Sequence, residues 1–77
     1  MQAALRRFLV HAAHEGRHRG HAVEGASFED AAVAFVEAWS PEVDAEGEVS
    51  VVVVDPEDGR TCCFRIDSET GETGPCA

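Results

Sequence analysis

The chain has 77 residues and a formal net charge of −9 at pH 7, so it makes one domain, spanning 1–77, with little room for a deep catalytic cavity. Its acidic character disfavours binding to the phosphates of nucleic acid. The apolar run at residues 8–10 is far too short for a signal peptide or a membrane span, which predicts a cytoplasmic protein.

Two strands are predicted at the start of the chain. Residues 7–13 alternate weakly between apolar and other side chains, with Leu9 and His11 on one of the two faces. Residues 14–20 carry two glycines and no apolar side chain, which indicates a loop. We therefore expect the chain to return to a second strand near 21–26 and to form a hairpin.

A helix is predicted to begin after Ser27. The hydroxyl of Ser27 can accept a hydrogen bond from the backbone N–H near Asp30, as an N-terminal helix cap does. Apolar residues then recur at helical spacing and form one stripe: Phe28, Ala32, Phe35, Val36 and Trp39. Ser40 precedes Pro41, and the helix ends there because the residue before a proline avoids the helical conformation.

Two more strands are predicted at 49–54 and 61–66, with a turn between them. Pro56 suits the first central position of that turn and Gly59 suits a left-handed position. This turn would place three residues of the first strand opposite three of the second on the core face: Val49, Val51 and Val53 opposite Ile66, Phe64 and Cys62.

The C-terminal segment turns back once more after the last of these strands. A four-residue turn at 68–71 returns the chain toward Thr73 and would place Cys76 across from Cys63. The predicted fold class is therefore α+β in the order β-β-α-β-β, with one helix packed on a mostly antiparallel four-stranded sheet. A short fifth strand after the turn is left open.

The sheet face opposite the predicted core is apolar. Val52 and Val54 lie on it, and Leu9 can join them. Either this face is covered or it exposes an apolar patch, and such a patch usually marks an interface. We therefore predict a non-enzymatic interaction module that acts through a protein partner or as a homodimer, with Val52, Val54 and Leu9 at the interface.

The alternative prediction is a metal- or redox-responsive module. It would use His11, His14, His18 and His21 together with Cys63 and Cys76. Imidazole and thiolate groups are good zinc ligands, and two facing cysteines can form a disulfide. A solvated loop explains the histidines without a metal, however, and cytoplasmic cysteines should be reduced. We therefore predict no cofactor.

No catalytic motif is recognisable in the sequence. It has no nucleophile elbow, no phosphate-binding glycine loop and no cysteine at a predicted helix start. The basic segment, with Arg6, Arg7, Arg17 and Arg19, is the exception to the acidic balance. We expect these arginines to be balanced by the acidic groups of the domain itself, which disfavours a nucleic-acid binder. The missing motifs disfavour an enzyme, and the short apolar run disfavours a membrane protein.

Three stretches together resemble a family of short bacterial domains of unknown function. They are the opening Arg7-Phe8-x-Val10-His11, the helix from Ala26-Ser27-Phe28-Glu29 through Phe35, and Cys63-Phe64-Arg65-Ile66-Asp67 with Thr70-Gly71-Glu72. The resemblance spans nearly the whole chain. It implies a small domain of the same kind and carries no activity with it.

Overall fold

The computed structural model describes residues 5–76. The elements, in chain order, are β1 (Arg6–Ala12), a turn of 3₁₀ helix (Arg17–Arg19), β2 (His21–Gly25), α1 (Phe28–Trp39), β3 (Glu48–Val54), β4 (Thr61–Asp67) and β5 (Thr73–Pro75). The strands form one antiparallel sheet in the order β2-β1-β3-β4-β5. The predicted α+β class with a single helix is confirmed for the described residues.

The sheet has five strands, so the expected count of four is wrong. The turn after β4 brings residues 73–75 alongside that strand, and Ile66 pairs there with Thr73. Asp67 shapes this turn, because its side chain accepts hydrogen bonds from the backbone N–H groups of Glu69 and Thr70. The fifth strand forms because the turn delivers it to the free edge of β4.

The register of β3 against β4 agrees with the prediction from the turn. Val49, Val51 and Val53 pair with Ile66, Phe64 and Cys62, respectively. The turn itself is closed by hydrogen bonds between Asp55 and the residues Gly59 and Arg60. Local turn chemistry therefore determines the pairing of these two strands.

Helix α1 begins and ends as the sequence predicts. The hydroxyl of Ser27 accepts a hydrogen bond from the backbone N–H of Asp30 at 3.1 Å. Ser40 ends the helix in a left-handed conformation, with φ at 44°, and its N–H donates to the carbonyl of Val36. Within residues 5–76, no helix has the length and apolar character needed to cross a membrane.

The core lies between α1 and one face of the sheet. Its strand residues include Phe8, Val10, Val51 and Val53, and Phe35 packs against them from the helix. Gly25 allows the helix to approach this closely, since a β-carbon there would lie 2.9 Å from the backbone nitrogen of Ala31. Trp39, at the end of the predicted stripe, is instead 45% exposed.

Strand β1 joins the two halves of the sheet. It pairs with β2 on one side and with β3 on the other, where Leu9 lies opposite Val54. At the same end of the sheet, the guanidinium of Arg6 donates a hydrogen bond to the buried carboxylate of Asp55, which follows β3. This ionic contact joins β1 to the residue after β3, beside the backbone pairing of the two strands.

Candidate interaction surface

The face of the sheet turned away from α1 has an apolar centre. Strand pairing sets Leu9 opposite Val54, His11 opposite Val52, and Val52 opposite Cys63. Because directly paired residues project from the same side of a sheet, these five side chains lie together. We call this set of five residues the outer face.

The three residues predicted to form an interface all belong to the outer face. Leu9 is 40% exposed, Val52 is half-buried, and Val54 is buried although it points away from α1. The structure therefore brings Leu9, Val52 and Val54 into one patch. Their contact with another protein stays a prediction.

His11 lies at the centre of the outer face and is only 7% exposed. Its Nδ1 lies 2.8 Å from the carbonyl oxygen of Ala12. A carbonyl oxygen can only accept, so Nδ1 donates this hydrogen bond. Nε2 is buried and has no hydrogen-bond partner among the described residues.

A small cleft of about 80 Å³ lies beside this imidazole, lined by Leu9, His11, Gly20 and Val54. Its origin can be traced to the strand register. Because Val10 pairs with His21, the position beside His11 on the neighbouring segment is Gly20, which has no side chain to fill the space. The cleft therefore has apolar walls at Leu9 and Val54 and is bounded on another side by the His11 ring.

The four histidines do not converge on one point. His14 and His18 are exposed in the segment between β1 and β2. His21 lies on the helix side of the sheet, where its ring stacks on Trp39 with centroids 4.6 Å apart. Residues 5–76 hold no group of three or more histidine, cysteine or acidic side chains arranged to bind a metal ion.

Cys63 and Cys76 are neighbours, as the predicted turn requires. Their α-carbons are 5.4 Å apart and their sulfurs form a disulfide. The expectation that all three cysteines are reduced therefore differs from the structure. The physical reason is the pairing of β4 with the C-terminal segment, in which the N–H of Cys76 donates to the carbonyl of Cys63 at 3.1 Å. Cys62 is the free cysteine.

Two ionic contacts were missed by the sequence analysis. Asp55 is 1% exposed, and its carboxylate binds Arg6 and also accepts from the backbone N–H of Glu57 at 2.9 Å. Arg65 donates to Glu48 and lies 3.7 Å from Asp44. For Asp55, the Asp-Pro sequence after β3 indicates a capping role, because an aspartate before a turn often caps it.

Two aspartates, Asp44 and Asp67, act as caps for backbone N–H groups. The N–H groups of Glu48 and Glu46 hold the pKa of Asp44 below its ordinary value, and Arg65 adds to this effect. The N–H groups of Glu69 and Thr70 likewise lower the pKa of Asp67. Hydrogen bonds to the charged form favour ionisation, so both loops are held by carboxylates.

No curated protein and no solved structure matches this chain. A model for a family of unknown function, DUF5961, matches residues 6–77, which is nearly the whole chain. The resemblance to a domain of unknown function is thereby confirmed, while bacterial origin stays a prediction. The chain belongs to the family of unknown function DUF5961.

Proposed function

We propose that the protein is a non-enzymatic interaction module that binds a protein partner, or a second copy of itself, through the outer face. The observation that carries this proposal is the one-sided cover of the sheet. Helix α1 packs on one face, whereas Leu9, Val52 and Val54 form an apolar centre on the other. Apolar patches on small charged proteins commonly mark contact surfaces.

Charge also supports a protein partner over nucleic acid. The net charge of −9 opposes binding to phosphates. Arg6, one of the arginines in the basic segment, is already engaged by Asp55. These charges favour a protein partner. The cytoplasmic location and the lack of a cofactor stay parts of the proposal that the charge does not bear on.

The test is a Val52→Asp substitution in the full chain. Native mass spectrometry over a concentration series shows whether wild-type protein dimerises, and cross-linking in cells shows whether it contacts another protein. We expect the substitution to remove the complex that is found, because a carboxylate at the centre of the patch has to be desolvated.

Val43→Asp is the matched control. Val43 is a more exposed valine than Val52, and it lies in the linker before β3 and is not one of the five residues of the outer face. The control should keep the complex. Equal complex formation by wild type and Val52→Asp, or equal loss in both variants, contradicts the proposal.

A redox-responsive module is the second candidate, and the Cys63–Cys76 disulfide favours it. The balanced step is thiol–disulfide exchange: the two protein thiols become one disulfide while a glutathione disulfide is reduced to two glutathione thiols. The metal version of this candidate receives less support, since the four histidines do not converge. Only His11 shares the outer face with Cys63, whereas His21 lies on the helix side and the other two lie in the segment between β1 and β2.

Equilibration in glutathione buffers tests this candidate, with Cys62→Ser as the control. The fraction of Cys63–Cys76 disulfide is read from the mass of alkylated protein. A responsive switch changes between its two forms within the range of cytoplasmic glutathione potentials. A disulfide that stays closed, or open, across that range contradicts the switch.

The metal version is tested by native mass spectrometry of the reduced protein with added zinc, in the wild type and in the His11→Gln and Cys63→Ser variants.

A further inference from the structure

A second surface feature lies at the C-terminal end of α1. It is a groove of about 410 Å³, which we call the Trp39 groove. Its lining includes Trp39 and Phe35 from the helix, His21 from β2, Glu15 from the segment between β1 and β2, and Glu42 from the linker after α1. Its volume falls in the range of roughly 300–1,000 Å³ that is typical of ligand sites. None of its lining residues belongs to the outer face.

The aromatic wall of this groove is accessible. Trp39 is 45% exposed, and the rings of His21 and Phe35 stack against its indole with centroids 4.6 and 5.5 Å away. Indole attracts cations more strongly than the other aromatic side chains do. Arg60 lies over the ring of Phe28 at 5.8 Å, but none of the arginine side chains that the structure describes lies over the ring of Trp39. This ring is therefore open to a cation from another molecule.

The charges around the groove also favour a cation. Glu15 and Glu42 line it, and no residue in the described part of the chain forms an ion pair with either carboxylate. Helix α1 ends here at Trp39, and its last turn has no basic residue to offset the negative end of the helix dipole. Since the whole chain carries a net charge of −9, a cationic ligand is favoured over a neutral or anionic one.

The contacts of Arg6 show that this chain already holds a guanidinium with groups of these kinds. The guanidinium of Arg6 lies 5.5 Å from the centre of the Phe8 ring, donates a hydrogen bond to Asp55 and lies 3.9 Å from a carboxylate oxygen of Glu57. The Trp39 groove likewise combines an aromatic ring with two carboxylates. A guanidinium suits such a site better than an ammonium, because it is planar, stacks on aromatic rings and is more weakly hydrated.

We propose that the Trp39 groove binds an arginine in a basic segment of a different protein, with its guanidinium against the indole of Trp39 and the carboxylates of Glu15 and Glu42 as acceptors. The linker after α1 carries further exposed carboxylates at Asp44 and Glu46, which favour a basic segment over a free small molecule. Two copies of this chain, each carrying −9, repel one another, so a second copy is not the source. The inference goes beyond the proposed function, because it concerns a different surface.

The test uses the fluorescence of Trp39, which is the single tryptophan in a chain without tyrosine and so reports on the groove. The probe is a five-residue peptide of alternating glycine and arginine, and its matched control carries citrulline, the uncharged isostere of arginine. A buffer at pH 8 keeps the imidazoles of the groove neutral. We expect the arginine peptide to change the Trp39 emission in a saturable manner and the citrulline peptide to bind roughly tenfold more weakly. A lysine peptide of the same length should also bind more weakly than the arginine peptide.

Substitutions separate the carboxylate from the aromatic ring. Glu42→Gln keeps the fluorescent reporter and changes an exposed side chain, and it should weaken binding of the arginine peptide roughly fivefold. Glu69→Gln is the matched control, since it removes the same charge from an exposed residue in the turn after β4 and should retain the affinity. Trp39→Leu removes the reporter, so calorimetry is used for this variant, which should lose the preference for arginine over lysine.

The inference is overturned if the arginine peptide does not bind, binds no better than the citrulline or lysine peptide, or leaves the Trp39 emission unchanged. Equal weakening by Glu42→Gln and Glu69→Gln also overturns it, because that result indicates attraction by net charge alone. Binding of free arginine amide as tightly as the peptide overturns a protein as the source. None of these outcomes depends on association through the outer face, so this inference and the proposed function can fail separately.

Discussion

Asp55 is the charged residue whose loss should disturb the fold most directly. Its buried carboxylate binds Arg6 and caps the turn after β3. Asp55→Ala removes both contacts, but Arg6 is partly exposed and can be rehydrated, so we expect a loss of about 2 kcal/mol in unfolding free energy. Urea denaturation measures the loss.

Asp58→Ala is the control for that substitution. Asp58 is exposed in the same turn, and its carboxylate accepts from the backbone N–H of Arg60 at 2.9 Å. It lacks a buried ionic contact in the described structure, so its removal should cost about 1 kcal/mol or less. Equal losses for the two variants would show that the Arg6–Asp55 contact adds nothing.

Phe35 is the second residue whose substitution should lower the unfolding free energy. It is 2% exposed and packs in the core, so Phe35→Ala should cost about 3–5 kcal/mol in unfolding free energy. Trp39→Ala removes a larger side chain that is half-exposed and should cost less. Thermal or urea unfolding compares the two, and a greater loss for Trp39 would contradict the assigned core.

Individual residues show which structural features the sequence can predict and which it cannot. The apolar spacing correctly assigns Phe35 to the core, because a helical repeat is a local property. The burial of His11 and the contact of Arg6 with Asp55 depend on β1 lying beside β3. No local pattern encodes that neighbour relation, so these functional candidates emerge only from the folded sheet.

At the scale of elements, β5 is the part that depends most on a single bond. It has three residues, lies at an edge of the sheet and ends beside the Cys63–Cys76 disulfide. Under oxidising conditions we expect Cys76→Ser to reduce stability by about 3 kcal/mol, as for a disulfide closing a loop of similar length. Hydrogen exchange should show lost protection in β5 and retained protection in β1 and β3.

Cys62→Ser is the matched control. Cys62 forms no disulfide, so its substitution should leave the hydrogen-exchange protection of β5 unchanged. Wild-type protein in a reducing buffer should behave like Cys76→Ser. Full protection of β5 in the variant would show that strand pairing alone holds it.

The elements themselves were largely predictable. The capped helix and the β3–β4 register follow from Ser27, Pro56 and Gly59, whose effects reach only a few residues. The strand order did not follow, since the antiparallel pairing of β1 with β3 spans the helix and the linker. Weak alternation in residues 7–13 states which side chains share a face but not which strand lies next to them.

For the whole molecule, a fall in pH should remove the stability that the ionised carboxylates of Asp44 and Asp67 contribute. Asp44 and Asp67 have pKa values lowered by folding, so their contribution is present above the ordinary aspartate value of 3.8 and is lost as the pH falls through the lower pKa values of the folded state. The difference in unfolding free energy between wild type and Asp44→Asn/Asp67→Asn should therefore shrink between pH 6 and pH 3.

Glu24→Gln/Glu37→Gln is the charge-matched control, because it also removes two negative charges and so reports the relief of general repulsion. Urea denaturation at each pH gives both differences. The capping role is contradicted if the difference in unfolding free energy between wild type and Asp44→Asn/Asp67→Asn stays constant, or grows, as the pH falls toward 3.

The position of β1 between β2 and β3 has a consequence during synthesis. The N-terminal hairpin and α1 leave the ribosome first, and until β3 follows, one edge of β1 has no partner. An open strand edge can pair with other chains, and pairing between distant segments forms slowly. We therefore expect the first half of the chain to be most prone to aggregation before β3 is synthesised, because pairing with β3 closes this edge of β1.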